Sequence, residues 1–394
     1  MQKPILNSLV VMFCLFTVAL NGQTTYFFSD GLAIGNVHQY GREALYSDGL
    51  AFQLYNAGIK PVAGESLSFA GGSKKAEWTA IKPDSAGSFR SAALGSGYLY
   101  LTYTSPKNQT AVLVATGHSM VYVNGAPHAG DMYRYGWMNI PVPLKKGVNE
   151  IYIRSAGMGR YAMINARLEF PSKQLSILKT DPTLPFLVKG ESKGELVGGI
   201  VVLNTSSTNA KNLSIKTTLE GKTATTLVPS VHAMMSRKVA ITIPVPDAIN
   251  KGSYGMQLGL YDGNKLIDST TIAVTAVNQG EHASYTFVSK IDGSVQYYAV
   301  APQTVPTKNP SLFFSVHGAE VEAISQARAY APKAEGPVVA PTNRRPRGFN
   351  WEDWGRMDAL EVLDIAKSRF SPDPQRVYLT GHSMGGHGTW YLGA

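Results

Sequence analysis

Short segments of alternating apolar and polar residues fill positions 24–282, and this pattern constrains the fold most strongly. Segments such as LYLTY (99–103), AVLVAT (111–116) and NEIYIRS (149–155) are rich in β-branched and aromatic residues and are separated by turn residues. Helical periodicity is nearly absent from this region. Because 44% of the 394 residues are hydrophobic, such strands can bury substantial cores. The pattern therefore predicts β-sandwiches.

Turn spacing divides this part of the chain into two modules. The strand and turn pattern of residues 23–170 predicts a first β-sandwich, and its turn spacing resembles that of galactose-binding-like jelly-roll modules. The Asn124-Gly125 pair predicts a type I′ hairpin turn, because both central residues of that turn need a positive φ. Residues 171–282 predict an immunoglobulin-like β-sandwich in which no cluster of titratable residues stands out, so we expect it to act as a spacer.

An aromatic cluster in the first module has two interpretations. Tyr133, Tyr135 and Trp137 alternate along the chain and could stack on the faces of sugar rings. Alternating aromatic residues also fill the cores of sandwiches or cover their edges, and we favour this second interpretation.

The N-terminus has the features of a secretory signal peptide. Lys3 precedes an apolar run at residues 9–20, which is too short to span a membrane. We predict a cleavable segment over residues 1–22 and a secreted or periplasmic protein. Cys14 is the only cysteine, which excludes a disulfide framework and cysteine-based zinc sites. The net charge of +9 is spread thinly along the chain, so neither a nucleic-acid partner nor a membrane span is expected.

Residues 283–394 combine strand and helix patterns. Apolar strands at 311–319 and 376–380 flank a segment with helical spacing at 354–370. Strands that alternate with helices predict βαβ units and a mostly parallel sheet. The predicted fold class is therefore multidomain, with two N-terminal β-sandwiches followed by an incomplete α/β-hydrolase domain.

A G-x-S-x-G motif follows the last of these strands. It places Ser383 between Gly381 and Gly385, and this spacing is typical of a nucleophile elbow, in which a tight strand-to-helix turn exposes the serine. We predict Ser383 as the catalytic nucleophile, with the backbone N–H groups of Met384 and Ala319 as the oxyanion hole. The same four letters, GHSM, occur at 117–120, but there the second glycine is missing and a strand follows, so Ser119 is expected to be structural.

The stretch from FFSVHGA through PTNRRPRGFNWEDWGRMDAL to DPQRVYLTGHSMGGHGTW resembles the catalytic domain of prolyl-oligopeptidase-like serine hydrolases and related secreted esterases. The resemblance implies a serine peptidase that forms an acyl-enzyme on Ser383, acts on peptide or ester substrates and needs neither cofactor nor metal. A carbohydrate esterase for acetyl or feruloyl groups, with a substrate linked to polysaccharide, is the first alternative. A noncatalytic polysaccharide-binding protein with a hydrolase remnant is the second.

The triad acid and histidine of such a hydrolase follow the serine in the chain. We therefore expect both beyond residue 394, and expect the present fragment to be inactive.

Arginines at 344 and 345 are candidate substrate-binding residues. Arg344 and Arg345 could bind a carboxylate or uronate group of a substrate bidentately. They could equally pair with Glu352, Asp353 and Asp358 in a solvated loop, and the sequence leaves both interpretations open.

Overall fold

The computed structural model describes residues 24–35, 37, 48–56, 58–68, 75–156, 163–344 and 350–394. The predicted signal peptide, residues 1–22, lies outside the described residues. No helix in the described part of the chain is long and apolar enough to cross a membrane.

Strands between residues 24 and 170 form two packed antiparallel sheets and a separate two-stranded sheet of Ser66–Ser68 with Lys75–Glu77. The elements are β1 (Thr24–Phe27), β2 (Gly31–Ile34), α1 (Gly49–Asn56), β3 (Ser66–Ser68), β4 (Lys75–Glu77), β5 (Thr79–Ile81), β6 (Ser88–Arg90), β7 (Tyr98–Ser105), β8 (Gln109–Thr116), β9 (His118–Val123), β10 (Ala126–Asp131), β11 (Asn139–Leu144), β12 (Gly147–Ser155) and β13 (Met163–Phe170). One sheet has the order β1-β13-β8-β11, with β6 also on β13, and the other has the order β10-β9-β12-β7-β2-β5. Alternate residues of both sheets, such as Leu113 and Ile151, form the core between them.

The hairpin between β9 and β10 has the turn that its sequence predicts. Asn124 has φ 49° and Gly125 has φ 85°, and Val123 pairs directly with Ala126. The prediction of a turn with two positive φ angles is confirmed.

Strands between residues 175 and 277 form a second pair of sheets. They are β14 (Leu175–Thr183), β15 (Leu187–Val188), β16 (Glu195–Asn204), β17 (Leu213–Leu219), β18 (Lys222–Val228), β19 (Met235–Pro244), β20 (Gly252–Asp262) and β21 (Lys265–Val277). The orders are β14-β16-β19 and β15-β21-β20-β17-β18. Ile200, Ile215, Ile241 and Val274 lie in the core between the two sheets.

The remaining residues form one mixed sheet with three helices. Its elements are β22 (Ala283–Val288), β23 (Val295–Ala301), β24 (Leu312–Val316), α2 (Ala323–Arg328), β25 (Val338–Pro341), α3 (Trp354–Phe370), β26 (Val377–Gly381) and α4 (Met384–Gly393). The order is β22-β23-β25-β24-β26. β24 pairs in parallel with β25 and β26, whereas β22–β23 and β23–β25 are antiparallel.

The predicted fold class needs correction. The described residues are mostly strands with only four α-helices, and no α/β-hydrolase domain is evident in them. The physical reason is that parallel pairing within the mixed sheet is limited to β25, β24 and β26, while the segment from 283 to 301 folds as an antiparallel hairpin. The β-sandwich part of the prediction agrees with the structure. The proposed boundaries at 170 and 282 stay a prediction.

Candidate functional site

Ser383 lies in the tight turn between β26 and α4. Its backbone has φ 55° and ψ −120°, a conformation that residues with a side chain rarely adopt. The side chain is exposed. The N–H groups of Gly386 and His387 donate to the Ser383 carbonyl oxygen at 2.8 and 3.3 Å, which starts α4 directly after the serine. The turn therefore presents the hydroxyl at the N-terminus of a ten-residue helix.

The glycines on either side of Ser383 are required by close approach of the backbone. A Cβ atom on Gly381 would lie 2.1 Å from the carbonyl oxygen of Gly385. A Cβ atom on Gly385 would lie 2.0 Å from the carbonyl oxygen of Val316, the last residue of β24. No larger residue fits at either position without a shift of the backbone.

The loop after β24 lies beside this turn. A Cβ atom on Gly318 would lie 3.4 Å from the Ser383 Cβ, so the structure brings the end of β24 and the serine together. Ala319 is the next residue and is exposed. The amide of Met384 belongs to the first turn of α4, where N–H groups lack partners within the helix. The assignment of Met384 and Ala319 as oxyanion donors stays a prediction.

His317 is buried under the loop that passes Ser383. Its Nδ1 is 2.8 Å from the Gly318 carbonyl oxygen and its Nε2 is 3.0 Å from that of Thr342. Burial lowers the pKa of the ring, and the two carbonyl oxygens, which favour the protonated ring, only partly oppose the shift. The Trp351 indole N–H donates to the His317 carbonyl oxygen at 2.9 Å. These contacts position the loop and engage both ring nitrogens.

The second GHSM segment has a different structure. Ser119 lies in β9, and its hydroxyl donates to the Ser155 carbonyl oxygen at 3.1 Å. β9 then runs on into the turn at Asn124 and Gly125, so no helix N-terminus faces the serine. This agrees with the structural role expected for Ser119.

Arg344 lies at the centre of an ion-pair network, and its side chain is only 11% exposed. The guanidinium contacts Asp292 at 3.3 Å, Asp358 at 3.7 Å and Glu361 at 3.8 Å. It also donates to the Ser289 hydroxyl at 2.7 Å. The pairing with Asp358 is one of the two alternatives that the sequence left open. The role of Arg344 in substrate binding stays a prediction, and Arg345 lies outside the described residues.

Asp358 is fully buried next to this arginine. Burial raises the pKa of its carboxyl group to about 6, although the Arg344 charge and the Asn343 backbone N–H at 2.9 Å oppose the shift. The folded protein therefore binds a proton at Asp358 more tightly than the unfolded chain does.

The raised pKa of Asp358 makes stability depend on pH. The stabilisation from proton binding is complete below the ordinary pKa of 3.8 and is lost as the pH rises through about 6. Urea unfolding at pH 4.5 and 7 should show a smaller loss of stability in Asp358→Asn than in the unchanged protein. An identical loss in the two proteins would show that Asp358 ionises normally.

The aromatic cluster lies outside the core of the first sandwich. Tyr133, Tyr135 and Trp137 are half-buried and follow Asp131 at the end of β10. The Tyr135 and Trp137 rings stack with centroids 4.3 Å apart and an interplanar angle of 16°. The Tyr135 hydroxyl donates to the Glu320 carbonyl oxygen at 2.9 Å, in the loop that passes Ser383. The rings therefore do not fill the sandwich core, and the other part of the interpretation, that they cover an edge of the sandwich, stays a prediction.

A cleft of about 500 Å³ lies where the three groups of sheets meet. Trp137 lines it from the first group, Asp181, Arg237 and Lys238 line it from the second, and Asp292, Tyr297, Glu322 and Arg344 line it from the third. Sequence reasoning found no cluster of titratable residues in 171–282, because the members are far apart in the chain. Only the packing of three groups of sheets brings them together.

The charged groups of the cleft are mostly paired within it. Lys238 lies 2.9 Å from Asp181, and the Tyr297 hydroxyl donates to Glu322. Burial opposes the ionisation of Asp292, but hydrogen bonds from Ser294 and the charge of Arg344 outweigh it and lower the Asp292 pKa. In the described part of the chain, no group of three histidine, cysteine or acidic residues is placed to hold a metal ion.

Comparisons with known proteins give weak structural likenesses only. No protein-family model matches the chain, and no curated protein matches it. A putative β-galactosidase from Bacteroides fragilis is 13% identical, with a TM-score of 0.31, over 78% of this chain and 46% of its own. A family 2 β-galacturonidase from Eisenbergiella tayi bound to galacturonate is 12% identical, with a TM-score of 0.33, over 74% and 48%.

A β-glucuronidase from Bacteroides uniformis is 11% identical, with a TM-score of 0.33, over 78% of this chain and 36% of its own. The chain thus spans between a third and a half of the length of these three enzymes. All three are named as glycosidases, and none as a peptidase or an esterase.

The fold of the described residues contradicts the predicted resemblance to prolyl-oligopeptidase-like hydrolases, because these residues are mostly β-sandwich and no α/β-hydrolase domain is evident in them. The function and enzyme class derived from the resemblance, a serine peptidase or esterase, are corrected with it, as are peptide and ester substrates and both alternatives. The physical reason is that a five-residue turn motif is local, whereas the class of protein depends on the surrounding fold, here mostly β-sandwich.

Proposed function

We propose that this protein recognises a carbohydrate in the cleft where the three groups of sheets meet. One observation carries the proposal: Trp137, a large half-buried ring outside any core, lines the cleft and is backed by the stacked Tyr135 ring. An aromatic ring with an accessible apolar face can stack on the flat apolar face of a sugar ring, while polar groups nearby can bind the hydroxyl groups of the sugar. The hydrogen bond from Tyr135 to Glu320 holds this pair in place before a ligand arrives.

The size and lining of the cleft support a ligand of a few sugar rings. A volume of about 500 Å³ lies within the range of small-molecule sites. Lys238, Tyr297 and Glu322 line the same cleft as Trp137 and offer hydrogen-bond donors and acceptors. A sugar needs such partners for its many hydroxyl groups. Lys238 lies in β19 of the second group of sheets, and Tyr297 and Glu322 lie in the third group, so the assembled chain is needed to form the cleft.

The chemistry of the lining favours binding over hydrolysis of a glycosidic bond. A glycosidase needs a carboxylic acid with a raised pKa to protonate the leaving oxygen. The Asp292 pKa is lowered instead. Asp181 pairs with Lys238, and Glu322 accepts a hydrogen bond from Tyr297. The proposal therefore concerns the recognition of a short sugar in this cleft, and it is distinct from the corrected alternative of a polysaccharide-binding protein with a hydrolase remnant.

Replacing Trp137 by alanine tests the proposal. We expect the unchanged chain to be retained on immobilised glycans in an array of neutral and acidic oligosaccharides, and Trp137→Ala to bind its best glycan about tenfold more weakly or worse. Trp390→Ala is the matched control, because Trp390 is 85% exposed on α4, outside the cleft lining. Equal binding by the unchanged chain and Trp137→Ala, or binding to no glycan, would contradict the proposal.

We propose separately, for the residue alone, that Ser383 is a reactive nucleophile. Its support is the exposed hydroxyl in a backbone conformation held by Gly381 and Gly385, next to the helix amides. Fluorophosphonate treatment of the protein expressed from its native gene, followed by peptide mass spectrometry, should label Ser383 and not Ser119. Equal labelling of both serines, or none at Ser383, would refute the assignment.

A further inference from the structure

Among the described residues, Arg237 is the cation of the cleft that has no carboxylate partner. Among the described residues that line the cleft, the other two cations are neutralised: Lys238 by Asp181, and Arg344 by Asp292, Asp358 and Glu361. Arg237 forms no ion pair with any described carboxylate, and its side chain is exposed. One positive charge therefore faces the cleft without an ion-pair partner among the described residues.

The geometry of Arg237 leaves it ready to bind a ligand. Its Nη1 donates to the Ser230 carbonyl oxygen at 2.7 Å, and this bond restrains the guanidinium. A guanidinium has five N–H donors, so the remaining donors are available for two parallel hydrogen bonds to one carboxylate. Since Arg237 belongs to β19, its backbone is fixed by pairing with β16 at Val202.

We infer that the sugar recognised in this cleft is a carboxylated one, bound through its carboxylate at Arg237. The inference rests on the proposed carbohydrate function and adds the chemical class of the ligand. A uronic acid unit offers a ring face for Trp137 and a planar carboxylate that matches the guanidinium fork. A neutral sugar would leave the Arg237 charge partly desolvated beside the ligand and without a counter-charge.

Arg237 is suited to the bidentate carboxylate binding that the sequence had suggested for Arg344. The same fork-to-carboxylate pairing was expected there, but the Arg344 guanidinium is shielded and shared among three acidic side chains. In the cleft, Arg344 orients Asp292 and the Ser289–Ser294 turn. The positive charge that is available to a ligand is that of Arg237, which lies in β19 of the second sandwich.

Matched pairs of glycans separate the effect of charge from that of the sugar ring. Tetragalacturonate and its methyl ester form one pair, and a hyaluronan tetrasaccharide with its carboxyl-reduced form gives a second. Binding is measured by calorimetry at two salt concentrations with the unchanged chain and with Arg237→Gln, Arg237→Lys and Trp137→Ala. Arg356→Gln is the control for loss of one surface charge, because Arg356 is exposed on α3 outside the cleft lining.

We expect the acidic member of a pair to bind about tenfold more tightly than its neutral partner, with affinity that falls as salt rises. Arg237→Gln should remove this preference, Arg237→Lys should restore part of it, and Arg356→Gln should leave it unchanged. Equal binding of both members, still lost in Trp137→Ala, would overturn the carboxylate inference and keep the carbohydrate function. Binding of neither member of either pair would overturn the inference, and the array would then decide the carbohydrate function independently. An unchanged preference in Arg237→Gln would also overturn the inference.

Discussion

Gly385→Ala is expected to destabilise the mixed sheet by about 3 kcal/mol or more, because the new methyl group has no space. It would lie 2.0 Å from the Val316 carbonyl oxygen and 2.9 Å from that of His317. Both contacts are with backbone atoms of β24 and its loop, which cannot rotate away as a side chain can. Relief requires moving α4 from the sheet or distorting the turn at Ser383. Denaturant unfolding followed by tryptophan fluorescence measures the loss.

The neighbouring glycine provides the control for this substitution. A Cβ atom on Gly386 has nothing within 4 Å, and Gly386 lies in the same helix. Gly386→Ala should therefore be neutral or stabilise α4 by up to about 1 kcal/mol through higher helix propensity. Equal effects of the two substitutions would show that the close approach to β24 does not exist.

Trp351→Ala is expected to cost about 3–5 kcal/mol, as is usual for removal of a large buried aromatic side chain. Trp351 is fully buried against β24 and α3 in the core of the mixed sheet. Its ring also fills the space above Gly388, where a Cβ atom would lie 2.5 Å from the indole. Loss of the ring leaves a cavity under α4 and frees the His317 loop from its indole hydrogen bond.

Trp351→Phe separates the two contributions of this residue. The phenyl ring retains most of the buried area but cannot donate to the His317 carbonyl oxygen, so we expect a cost of about 1–3 kcal/mol. Calorimetric unfolding of both variants measures the difference. If the alanine variant unfolds at the temperature of the phenylalanine variant, the indole ring is not packed as described.

Local sequence patterns predicted the strands and turns whose conformation depends on neighbouring residues alone. The alternation in β7, β8 and β12 identified these strands, because a period of two places every second side chain in the core. Asn124-Gly125 identified its hairpin turn, because only residues tolerant of positive φ fit there. Gly381 and Gly385 identified the tight turn at Ser383, because a strand that reverses into a helix leaves no room for a Cβ atom.

Local patterns did not predict two features that depend on residues far apart in the chain. The aromatic residues at 133–137 were expected in a core or at the edge of a sandwich, but whether a ring is buried or lines a cleft depends on which surface packs opposite it. The motif at Ser383 and the stretches before it were interpreted as those of a serine hydrolase, although the described fold is mostly β-sandwich.

The sequence by itself determined the strands, the hairpin turn and the backbone turn at Ser383, since each follows from steric limits within about ten residues. Only the tertiary structure decided where the charges go. It placed Asp181 against Lys238 and three carboxylates around Arg344, and it left Arg237 lining the same cleft as Trp137. Coulombic pairing depends on distance through space, and these ion-pair partners, 14 to 57 positions apart in the chain, meet only after the strands and helices of their group have packed.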